Sequence, residues 1–170
     1  MAAAAAPESI FFPAIARMPH IRLAVYTKYH YSRGMEVTYS KDFFDEMEEK
    51  NLASARAVVP LALSLVSAKS VVDVGCGRAL WLKAFMEAGL KDAAGYDGDY
   101  VERERLAIPA ERFHAVDLED RLEFSRTFDL AVCLEVAEHL PASKADVLVE
   151  NLVRAAPVVL FSAAIPLQGG

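Results

Sequence analysis

Between Ser70 and Ala163 the apolar period of the chain changes repeatedly, and the changes come in a regular order. SVVDVG is a short β-branched run that stops at a glycine, which predicts a buried strand. RALWLKAFMEAG follows with helical spacing; it sets Leu80, Phe85 and Met86 on or near one face and has Gly89 as its stop. AAGYD then predicts a strand, DYVERERLA a short helix and RFHAVD another strand. FDLAVCLE is almost continuously apolar, the pattern of a strand covered on both faces. SKADVLVENLVRAA predicts a helix with Ser143 as its cap, and PVVLFSA a last strand. Strands alternating with helices imply parallel strands joined by right-handed crossovers, an α/β doubly wound sheet. In such a sheet the ligand lies beyond the carboxyl ends of the strands.

The residues before this region, to about Val66, read as helical. SKDFFDEMEEKN has Ser40 as an N-cap and acids in the first turn, where the helix dipole favours them. ASARAVVPLALSLV keeps helical apolar spacing, and Pro60 predicts a break or kink. The chain therefore divides into an N-terminal arm and helical cap, 1–66, and a core, 67–170. Tyr26, Tyr29, His30, Tyr31 and Tyr39 make the stretch before the cap unusually aromatic. They suit a lid over an apolar or aromatic ligand, or a helix packing its rings on the core.

With 170 residues, 54% of them hydrophobic, the chain can bury one core. The net charge of −6 argues against a large nucleic-acid footprint. Asp42, Asp45, Glu46, Glu48 and Glu49 read as a solvated helix face. Cys76 and Cys133 form no CxxC pair or metal-spaced cluster, which suits reduced thiols in a cytoplasmic protein. The alanine-rich start lacks the basic region of a secretory signal, and no apolar run has transmembrane length.

The chemistry gathers at VVDVGCGRALW, Val71 to Trp81. A strand, two glycines and a helix start give bare backbone and exposed N–H donors. A dinucleotide fingerprint would need a glycine where Leu80 stands, which disfavours a nicotinamide-dependent oxidoreductase. The turn resembles the first motif of class I S-adenosylmethionine (SAM)-dependent methyltransferases, with Asp73, Gly75 and Gly77 matching and Ala79 in place of a third glycine. Asp97 ends the second strand where such an acid accepts ribose hydroxyls, and Asp117 follows the third strand, near where the family places the adenine. Taken singly, both acids could also be ordinary strand-ending caps. FDLAVCLEVAEHLP and VVLFSAAIP resemble the family's fourth- and fifth-strand motifs. The resemblance implies a three-layer Rossmann-like sandwich whose core sheet has about five strands, in the order 3-2-1-4-5. It implies SAM as cofactor, held by Asp73, Gly75, Cys76, Gly77, Asp97, Gly98, Asp117, Leu118 and Leu134. The Cys76 side chain itself reads as packing, and Trp81 as helix core rather than a stacking platform.

The fourth-strand motif lacks the Asn/Asp-Pro-Pro-aromatic signature of many N-methyltransferases. It carries Glu135-Val-Ala-Glu138-His139, similar to the E-x-x-E-H motif of ubiquinone-pathway O-methyltransferases and of small-RNA 2′-O-methyltransferases. The resemblance implies a bacterial small-molecule type of enzyme, a small-molecule acceptor methylated at oxygen, and Glu135, Glu138 and His139 as the catalytic group beside it. In those relatives such residues can hold a divalent ion, and on a helix the three would share one face. Three ligands in one segment leave a metal site unfinished, so the expectation is no metal. SAAIPLQGG ends the sequence where the family adds two more strands. A chain truncated there would leave the fifth strand as an exposed edge open to homodimer pairing. The competing reading is a non-catalytic module that binds SAM or its product S-adenosylhomocysteine (SAH).

Overall fold

The computed structural model describes residues 22–25 and 41–163. Strand β1 spans Arg22–Val25, and helix α1 spans Lys41–Leu65. The strands β2 (Ser70–Val74), β3 (Asp92–Asp97), β4 (Phe113–Ala115), β5 (Leu130–Leu134) and β6 (Val158–Ser162) follow. Helix α2 (Leu80–Glu87) joins β2 to β3, and helix α3 (Ala145–Ala155) joins β5 to β6.

All pairings are parallel, and the sheet order is β1-β6-β5-β2-β3-β4. Counted from β2, the five core strands stand in the expected order 3-2-1-4-5. The order reverses beside β2, which opens the crevice at the ends of β2, β3 and β5.

Alternation along β2 divides the core. Val71 packs with Leu82, Phe85, Ala55 and Val59 on the face covered by α1 and α2. Val72 and Val74 pack with Leu148, Leu152 and Ala155 on the α3 face. Asp73 follows the period of Val71, so it points to the α1–α2 face as the strand ends. Leu82 and Phe85 are fully buried, each stabilising the fold by about 2–3 kcal/mol relative to exposure. Trp81 packs partly against this core and ties α2 to α1, its Nε1–H donating to Asn51 Oδ1 at 3.1 Å.

Four local expectations are corrected. The sheet has six strands: β1 pairs with β6 inside a segment expected to be helical, and covers the edge that was expected to be open. A four-residue strand is too short to announce itself by period. Helix α1 runs unbroken through Pro60, whose exposed position lets solvent serve the carbonyl left without an N–H. DYVERERLA forms only a 3₁₀ turn at Arg103–Arg105. Ser143 lies in the 3₁₀ turn Ala142–Lys144, and Lys144 is the N-cap of α3, with no side-chain cap bond. Ser40, the five aromatic residues of the proposed lid and 164–170 lie outside the described residues. Among the described residues no helix is long and apolar enough to cross a membrane.

Candidate active site

The turn after β2 is left-handed at three places: Gly75 (φ 83°), Gly77 (φ 52°) and Ala79 (φ 61°). The Gly75 and Cys76 N–H groups both donate to the Tyr96 carbonyl, at 2.8 and 3.3 Å, which fastens the turn to β3. A Cβ on Gly75 would collide with the γ-methyl groups of Val136. Glycine is thus required there twice over, by conformation and by space. Cys76 turns inward, and its Sγ lies 2.7 Å from where a Cβ on Gly95 would stand. Burial pushes the Cys76 thiol far up, so it is a packing group and not a nucleophile.

Asp97 ends β3 and is almost completely buried. Its Oδ2 accepts the Gly77 N–H at 2.6 Å, and its Oδ1 accepts the Gly98 N–H at 2.7 Å. The Tyr100 hydroxyl also donates to Oδ1. That phenol is pushed up to about 12, by burial first and by the bond to Asp97 second, so it stays protonated. Asp73 is equally buried. Among the described residues no hydrogen-bond donor reaches its carboxyl group. Burial, and then the charge of Asp97, lift the Asp73 carboxyl to about 8.

The loop after β4 is held from α3. Asn151, fully buried, accepts the Leu122 N–H on Oδ1 and donates from Nδ2 to the Asp120 carbonyl. Lys144 donates to the Glu119 carbonyl at 3.0 Å. Asp117 sits at the loop's start, where its Oδ1 accepts the Glu119 N–H at 2.9 Å. Among the described residues no helix stands between β4 and β5, so this bond closes a local turn and the helix-capping alternative for Asp117 does not apply; the residue also walls a cleft.

After β5 the chain makes a sharp turn. Glu135 is left-handed (φ 57°), and Ala137–His139 form a single 3₁₀ turn. The expected shared helical face of Glu135, Glu138 and His139 does not exist. Glu135 lies before the turn, and the Glu138 side chain borders neither of the clefts described next. Among the described residues no group of three His, Cys, Asp or Glu side chains is gathered as metal ligands.

Two clefts open along the carboxyl ends of the strands. The larger, about 810 Å³, is bordered by Asp97, Gly98, Asp117, Leu118 and His139. The smaller, about 510 Å³, lies under α1 and is bordered by Asp73, Cys76, Leu134 and Trp81. Gly75, Gly77 and Glu135 border both, so the clefts meet over the glycine turn. Every residue expected to hold the cofactor thus lines one cleft or the other. Sequence reasoning passed over Val136 and Ser162: Val136 fills the space above Gly75, and Ser162 borders the smaller cleft. Neither carries a local signal, because each earns its place through a contact with a different strand end.

Residues 44–156 match a methyltransferase-domain family. No curated protein matches the chain in sequence. The solved methyltransferase domain of bacterial CtHen1 is 25% identical, with a TM-score of 0.53 over 64% of this chain and 65% of that one. DesVI of Streptomyces venezuelae is 21% identical, with a TM-score of 0.56 over 68% of this chain and 52% of that one. The sugar N-methyltransferase KedS8 from Streptoalloteichus sp. ATCC 53650 is 24% identical, with a TM-score of 0.53 over 82% of this chain and 57% of that one. The chain thus spans from about half to just under two thirds of the length of these solved relatives. The family match joins the glycine turn, the acid ending β3 and the 3-2-1-4-5 core: the chain belongs to the class I SAM-dependent methyltransferases.

Proposed function

We propose that the chain transfers a methyl group from SAM to a hydroxyl of a small-molecule acceptor. One observation carries the cofactor assignment. Two clefts meet over a glycine turn that is open at Gly77, and each contains one buried carboxyl group, Asp97 in the larger and Asp73 in the smaller. That is a fit for a ligand with a diol at one end and an ammonium at the other.

When bound, SAM supplies a methyl group on a sulfonium, which an acceptor oxygen takes with loss of its proton. Asp97 is already accepting from a hydroxyl, that of Tyr100, so ribose hydroxyls can take over a bond it now makes. Asp73, buried with no donor among the described residues, has capacity for an ammonium, which would stabilise its charged form. Asp117 and Leu118 wall the adenine end of the larger cleft, with Gly98 beside the ribose. Leu134 and the Cys76 backbone flank the amino-acid end. His139, exposed on the wall of the larger cleft, is placed to receive the acceptor's proton, and Glu135 borders the acceptor from the junction. Methyl transfer from a sulfonium needs little acid–base help, so holding the reactants in line supplies most of the acceleration. The absence of an Asn/Asp-Pro-Pro-aromatic sequence after β5 favours oxygen over a planar amino group as the acceptor atom.

Calorimetric titration with SAH, with NAD as control, tests the assignment. The expected result is SAH binding that weakens at least about tenfold in Asp97→Ala, the cost of removing a charged hydrogen-bond acceptor. A folded chain that binds no SAH overturns the reading, and NAD binding in its place would revive the oxidoreductase. Binding without methyl transfer to any acceptor would leave the non-catalytic module.

A further inference from the structure

Ser162 is the last residue of β6, and it is 2% exposed. In the sheet register it stands beside Leu134, the last residue of β5. The pairing continues one residue further in a different form. The Ser162 carbonyl accepts the Glu135 N–H at 3.0 Å, and the Ser162 hydroxyl donates to Glu135 Oε1 at 2.7 Å. One buried serine therefore grips both the backbone and the side chain of Glu135. Glu135 needs such a grip. Apart from Ala79 it is the one non-glycine residue with positive φ among the described residues, a conformation that persists only where neighbours over-determine it.

Glu135 borders both clefts, so anything that spans them passes this residue, and its carboxylate is tied to Ser162 on the wall of the smaller one. Resting on the cofactor assignment above, the atom that links the adenosine half to the amino-acid half is the charged sulfur. We propose that Ser162 is a positioning residue, one that aims the Glu135 carboxylate at the junction of the two clefts, so that the site favours a ligand carrying positive charge there. The consequence is selective for the state of the cofactor. The methyl donor is cationic at that atom and the by-product SAH is neutral, so the device holds the donor and lets the by-product go.

Sinefungin provides a probe that needs no acceptor, because a carbon bearing a cationic amino group replaces the S-methyl unit of SAM. Titration calorimetry would compare sinefungin with SAH on the unchanged chain and on Ser162→Ala, Ser162→Thr and Glu135→Gln. The unchanged chain is expected to prefer sinefungin roughly tenfold, the scale of one hydrogen bond to a charged group. Ser162→Ala and Glu135→Gln should bring the preference down to about twofold or less, in Ser162→Ala with SAH affinity held within about twofold, and Ser162→Thr should retain it. Thermal melts confirm that the variants fold. The proposal is overturned if the unchanged chain shows no preference, if Ser162→Ala keeps it whole, or if Ser162→Ala weakens both ligands equally, the mark of a merely structural role. Failure of the unchanged chain to bind either ligand is a different result, and it removes the cofactor assignment itself.

Discussion

Gly75→Ala offers the sharpest test of how the glycine turn is built. The new methyl group would stand 2.9 Å from Val136 Cγ1 and 3.1 Å from Val136 Cβ, with Cγ2 closer still. Rotating Val136 brings only partial relief, because one γ-methyl stays against the new group in every staggered rotamer and the Val136 Cβ does not move. Val136 is 7% exposed and packed in the core on the α3 face, so the backbone itself must move. Forcing alanine to a φ of 83° costs about 1–2 kcal/mol, and overpacking a buried contact about 1–3 kcal/mol more. The expected loss in unfolding free energy is thus roughly 2–5 kcal/mol, read from guanidinium titration. Gly77→Ala is the control. That residue is also left-handed, at φ 52°, yet nothing lies within 4 Å of its added Cβ. It should lose only the conformational part, about 1–2 kcal/mol. In a Gly75→Ala/Val136→Ala double variant the two closest contacts disappear and only the Cβ contact at 3.1 Å remains, which predicts a favourable coupling of about 1–3 kcal/mol between the two positions. Equal losses for Gly75→Ala and Gly77→Ala, or no coupling with Val136, would refute the steric argument and leave conformation alone.

Two further outcomes follow from the carboxyl groups. Tyr100→Phe removes a hydroxyl that competes for Asp97, so SAH affinity by calorimetry should hold or rise by about two- to fivefold, and a fall would show that the tyrosine is part of the binding surface instead. Asp73 titrates near about 8 in the folded chain and near about 4 when unfolded, so between these values the folded state holds a proton that the unfolded state has lost. Its contribution to stability is therefore full below about pH 4 and disappears as the pH rises through about 8. Asp73→Asn should flatten this decline by up to about 1.4 kcal/mol per pH unit, measured as denaturant midpoints from about pH 5 to 8, and an unchanged slope would mean the carboxyl group is charged in the fold.

The order of the core, and many of the residues that line the two clefts, were legible in the sequence itself. β-branched runs alternating with 3.6-period runs dictate parallel strands with covering helices, and the reversal of strand order fixes which ends gather the ligand groups. A Gly-x-Gly turn between such elements, with acids at Asp73 and Asp97, names its chemistry locally, because backbone conformation and charge are properties of a few adjacent residues. Only the tertiary structure decided what depends on distant segments. It placed the short β1 against β6, and let α1 continue through Pro60 on a solvent-facing turn. It set Glu135 apart from Glu138 by turning Glu135 itself left-handed, where the spacing alone promised one helical face. It brought Val136 over Gly75 and Ser162 onto Glu135, contacts spanning 61 and 27 positions of sequence. Periodicity records which face a residue takes within its own element; which partner waits across that face is fixed only when the elements pack.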